Sequence, residues 1–245
     1  MEERQDEVNR RGPAGPDLHS LCKLGGIAAF LLLAYSIATM VQMMLLGGPP
    51  ASAFEAFALL QKSKILGLLR LDFPTVIAMP LYFLLSLGLF VSLRPAHPAY
   101  AALFIGLAFA GLTLVLATPG ALSMLSLSDK YAAAPTPDLK QQFLAAGEAV
   151  LAADMWHGTG AWVGGALFEI ACILISFTML RSRDFSRMTA YVGVVLHGFD
   201  LAHIAAGPFL PAAGIALMAI AGPLYPIWFF LVGRTLLKLG TLPDS

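Results

Sequence analysis

His197, Asp200 and His203 stand in the stretch HGFDLAH, residues 197–203, inside an otherwise apolar run. Imidazole and carboxylate groups exchange protons near neutral pH and also bind zinc or iron. A carboxylate at the centre of a bilayer costs about 2.5 to 3.5 kcal/mol on insertion scales unless it finds a partner or water. Glu169 lies in the preceding apolar run. Asp184 lies near the middle of the short polar segment RSRDFSR, 181–187; from it Glu169 is fifteen residues back, His197 thirteen forward and Asp200 sixteen forward. On two antiparallel helices these three share one depth near the membrane midplane. Two carboxylates so close repel if both are ionised, so one carries a proton or a protonated His197 lies between them. Asp154 with His157, and His203, sit nearer the outer ends of their helices and extend a polar path toward the outer face.

Three roles are open to this cluster. Buried polar groups can only lock helices together, at about 0.6 to 2 kcal/mol each. They can line a water-filled path for a proton or small solute. They can hold a metal or haem, for which His197, Asp200 and Glu169 are the candidate ligands. Spacing disfavours the last. His197 and His203 lie about 9 Å apart along a helix and about 120° around it, no HExxH motif occurs, and no two histidines match in depth on facing helices. No cofactor is expected. Gly-rich phosphate loops, GxSxG, CxxC and CxxCH are absent as well, which removes ATPase, serine hydrolase, thioredoxin-like and c-type haem chemistry.

The elements that position these residues follow from composition. Of the 245 residues 58% are hydrophobic and 12% charged, and the mean hydropathy is +0.77, more apolar surface than a soluble core of this size buries. Fifteen basic and fifteen acidic residues cancel, leaving no field for nucleic acid. Six runs reach the roughly 20 apolar residues of a membrane span, at about 24–47, 72–93, 98–124, 156–180, 187–206 and 212–236. The expected fold is an all-α, polytopic integral membrane bundle over 21–240, with 1–20 a polar, disordered cytoplasmic tail. Ten Lys and Arg fall on the side of the termini against five on the other, so both termini are placed in the cytoplasm. Its partner is then the lipid bilayer, with a homo-oligomer and the identity of any proton or small-molecule substrate left open. Cys22 and Cys172 are expected to stay unpaired.

Two outer segments read as amphipathic helices. In 139–153, Leu139, Phe143, Leu144, Val150 and Leu151 fall on one arc and Gln141, Gln142 and Glu148 outside it; 51–69 is similar. Read as one helix from Asp154, the fourth span carries Asp154, Gly158, Ala161, Gly165, Glu169, Cys172 and Ser176 on one small and polar stripe, with Val163, Leu167, Ile170, Leu174 and Phe177 opposite. Glu169 thus points into the bundle. Pro80, Pro223 and Pro226 free backbone carbonyls in the second and sixth spans and mark kinks or hinges. Trp156, Trp162, Tyr131 and Trp228 read as interface anchors or packing residues.

The segments LSLSDKYAAAP (125–135) and FLAAGEAVLA (143–152), the Gly-rich start of the fourth span and PIWFFLVGRTLLK (226–238) resemble a large bacterial family, domain of unknown function 4386, over about 24–238. The resemblance implies a six-helix cytoplasmic-membrane protein with no assigned reaction, so no catalytic residues carry over. HGFDLAH is not among the segments that carry it.

Overall fold

The computed structural model describes residues 16–71, 73–118 and 120–241, with side chains from residue 18 onward. These residues form helices and no strand. The first long helix, α1, is Pro16–Leu46, so part of the expected tail, 16–20, is helical; the remainder of the tail, 1–15, lies outside the described residues. His19 donates from Nδ1 to the Leu239 carbonyl at 2.9 Å, tying the start of this helix down.

Among the described residues six segments are long and apolar enough to cross a membrane. They are α1; α4, Phe73–Leu93; α5, Pro98–Leu116, followed by α6, Ala121–Ala133; α8, Thr159–Met179; α9, Arg187–Ala206; and the pair α10, Pro211–Ala221, and α11, Leu224–Gly240. Three expectations are corrected. The third span was read to residue 124, but α5 stops at Leu116, because Thr118 precedes a proline and is pushed from helical geometry. The fourth was read as one helix from Asp154, but α8 starts at Thr159. Asp154 instead accepts from the Trp156 and His157 N–H groups at 2.8 and 3.0 Å, a local turn that competes with helix. The sixth divides at Gly222 and Pro223, both still in helical geometry, so the chain bends without unwinding. Pro226 falls in the first turn of α11, where a missing N–H is tolerated, and Pro80 lies inside an unbroken α4.

The chain forms two compact units. The second, Ala38–Pro80 with Ala110–Ala166, contains the short helices α2, Ala53–Lys62, α3, Lys64–Arg70, and α7, Pro137–Ala152, together with α6. Ser52, Ser63 and Thr136 cap α2, α3 and α7 through their hydroxyls. Phe57, Leu60, Met124 and Leu151 form the core, with Phe143, Leu144 and Val150 against it, so the apolar arc of 139–153 is the packed one. Gly147 permits the approach of α7 to α2: a Cβ there would lie 2.7 Å from that of Ala53.

The first unit comprises the described residues of Met1–Ile37, Leu81–Phe109 and Leu167–Ser245. Here Gly25 and Gly88 meet where α1 crosses α4, a Cβ on Gly25 falling 2.9 Å from the Gly88 Cα. Trp228, Phe229, Val232 and Leu236 of α11 are buried. Cys22 and Cys172 are free and buried.

Candidate functional site

Glu169 is the central residue of α8, and His197 lies at the middle of α9. The stripe on α8 faces inward as its spacing requires: Glu169, Cys172 and Ser176 are 3%, 2% and 0% exposed, whereas Ile170 and Phe177 are 43% and 49% exposed. His197 is fully buried. Its Nδ1 lies 2.6 Å from Glu169 Oε2, a separation typical of a strong, charge-assisted hydrogen bond. Equal depth on neighbouring antiparallel helices is what brings the two together.

Asp200, one turn along α9, comes within hydrogen-bonding reach of Glu169. Tyr225 bridges the two carboxyl groups: its hydroxyl donates to Asp200 Oδ2 at 2.5 Å and lies 3.3 Å from Glu169 Oε1. Of the two arrangements expected, a protonated His197 between the carboxylates is not the one seen, since the imidazole meets Glu169 alone, whereas a proton carried by one carboxyl group suits the approach of Glu169 to Asp200. Tyr225 has one proton for two acceptors, and its short bond commits that proton to Asp200. A further proton shared by Glu169 and His197 avoids two uncompensated carboxylates in an apolar interior. The four groups form an unbroken line, Asp200, Tyr225, Glu169, His197, from a half-buried carboxyl to a fully buried imidazole.

Sequence reasoning missed Tyr225 as a site residue. A signal was present. Tyr225 is the fifteenth of the 30 residues of Pro211–Gly240, whereas tyrosines favour the ends of a span. At spacings of three and four it shares a face with Trp228 and Phe229. Trp228, read as an anchor or packing residue, is 1% exposed, and its indole meets the His197 ring edge-on at 4.7 Å between centroids. Tyr82, near the middle of α4, packs edge-on against Phe168 at 5.5 Å and Phe229 at 6.0 Å, walling the site with aromatic rings.

The outer residues have local partners. In the second unit His157 Nδ1 lies 3.0 Å from Asp154 Oδ1, with the His157 ring largely in the open. In the first unit His203 donates from Nδ1 to the Gly214 carbonyl at 2.9 Å and holds α10 on α9. Asp154, His157 and His203 thus serve turns and a helix contact in their own units. Among the described residues no group of three His, Cys, Asp or Glu side chains is placed to share a metal ion. Chemically the line can hold, share and hand on a proton. No family model matches this chain, and no curated protein and no solved structure matches it.

Proposed function

We propose that this is a multi-pass protein of a cytoplasmic membrane, with both termini on the cytoplasmic side, that moves protons, alone or with a small solute, through Asp200, Tyr225, Glu169 and His197. The observation that carries the reading is the unbroken line of hydrogen-bonding groups at the centre of three apolar helices, with separations of 2.5, 3.3 and 2.6 Å. Ionisable groups at that depth are costly and mark ion or proton pathways when they join into a chain. The six-span topology has its own support. The connections after the first and third spans must emerge on one side, and their helices α2, α6 and α7 pack on one another. The resemblance to domain of unknown function 4386 belongs to the same proposal and adds no reaction to it.

The test is proton movement in proteoliposomes loaded with a pH-sensitive dye, under an imposed pH gradient or membrane potential. Wild type is expected to dissipate the gradient, and Glu169→Gln and Asp200→Asn to abolish this while keeping the helical circular dichroism. An inert wild type overturns the reading.

A structural lock is the second reading, favoured by one observation: the same bonds join the neighbouring helices α8 and α9 to α11, farther along the chain. Under it, the substitutions lower thermal stability and no proton movement exists to lose.

A further inference from the structure

Two buried polar atoms of the first unit have no hydrogen-bond partner among the described residues, His197 Nε2 and Trp228 Nε1. Buried groups of this kind are uncommon in native structures, and each calls for an explanation. They belong to rings 4.7 Å apart. The indole N–H is a donor only, while Nε2 accepts or donates according to which nitrogen holds the proton. Beside them lies Gly193, one turn from His197. A Cβ on Gly193 would come 2.6 Å from Trp228 Nε1, would press on the Ser176 hydroxyl, and would lie 3.1 Å from Ser176 Cβ. The Ser176 proton is given to the Cys172 carbonyl at 2.7 Å, which leaves its oxygen free to accept.

We propose that His197 Nε2, Trp228 Nε1 and Ser176 bind a water molecule where the two rings meet, and that this water receives the proton leaving the imidazole. The inference rests on the proton-relay reading of the site. An imidazole hands on a proton only if its second nitrogen faces a group able both to accept and to donate. Trp228 cannot accept, and water can do both. In the step itself the Glu169 proton forms the Nδ1–H bond while the Nε2–H bond breaks, that proton passing to the water. Glu169 is left as carboxylate, the imidazole stays neutral in its other tautomer, and the water carries the positive charge onward. The onward face is built: Asp200, His197, Gly193, Thr189 and Ser186 recur on α9 at spacings of three, four, four and three. Thr189 is 1% exposed, and its hydroxyl bonds that of Ser186 at 2.8 Å, at the end of α9 that meets the segment 181–187.

The experiment is proton NMR of the full chain in detergent with 15N-labelled tryptophan. The Trp228 indole signal is assigned by its loss in Trp228→Phe. The expected result is magnetisation transfer from bulk water to this indole N–H, and its replacement by deuterium well ahead of the α8 backbone amides. Gly193→Ala and, should that variant fail to fold, Ser176→Val are expected to slow this exchange at least tenfold. An indole N–H as protected as the core amides, or exchange unchanged in the variant that folds, overturns the water site. The relay reading fails separately: exchange at Trp228 without proton movement in proteoliposomes leaves the water and removes the transport, whereas proton movement with a sealed indole does the reverse.

Discussion

The two units of the chain differ in what their polar side chains join. In the second, helix ends are capped locally, and the long-range bonds, Glu148 with the Ala53 N–H at 2.8 Å and Lys64 with Asp129 at 2.9 Å, involve exposed or half-buried side chains. Ser52 bonds Glu55, Ser63 bonds Leu66, Thr136 bonds Leu139, and Asp154 holds Trp156 and His157. Arg70 closes the set by binding Glu55 at 3.0 Å and the Gly48 carbonyl at 2.9 Å. In the first, Glu169 finds His197 across 28 residues and Tyr225 across 56, and two ring nitrogens stay unpaired. Local capping completes the hydrogen bonds of helix ends and ends there. A long-range network in an apolar interior costs desolvation and leaves atoms over, an arrangement that caps do not need and proton transfer can use.

The largest contrast is expected at Glu169. Removing one partner of a buried pair costs about 3 to 5 kcal/mol, so Glu169→Ala should lower the unfolding temperature in detergent sharply. Glu169→Gln keeps a hydrogen-bonding side chain and should retain most of the stability while proton movement falls about a hundredfold or more. If Gln costs as much stability as Ala and no transport exists in wild type, the first unit is a lock like the second. Next in size is the link through Tyr225. A double-mutant cycle of Tyr225→Phe and Asp200→Asn, read by thermal unfolding, should give a coupling of about 0.5 to 3 kcal/mol. Strict additivity would detach Asp200 from the relay.

The second unit should answer more weakly. Thr136→Ala removes the hydroxyl that caps α7 and should cost about 1 kcal/mol, with proton movement unchanged; a loss of transport here would end the division of roles. Smallest is Lys64→Ala at the pair with Asp129, whose side chains are 59% and 56% exposed. Such exposed pairs contribute at most about 1 kcal/mol, and denaturation should scarcely register it.

Much of this was legible before any coordinates. The fifth span, 187–206, matches α9 at both ends, because Ser186 supplies a cap and Gly207 follows. The apolar arc of 139–153 packs as its periodicity requires. The inward stripe of α8 is buried from Ala161 to Ser176, with Gly165 half-buried. Residues 154–158 fit a helical period, yet the Asp154 side chain captures its own backbone, and periodicity does not register that competition. Trp228 packs, one of the two roles its type allows, and Tyr225 went unremarked as a site residue because amphipathic rings suit both a membrane edge and a polar core.

Composition and period alone determined the class of this protein, the number of apolar spans and the face on which Glu169 lies, since these depend on transfer free energy and on 3.6 residues per turn. Only the tertiary structure decided that a third helix enters the site. The bend at Gly222 and Pro223 joins α10 to α11, and the phenol of Tyr225 in the first turn of α11 bridges two carboxyl groups. That placement depends on how helices far apart in sequence settle against one another, which no local pattern records.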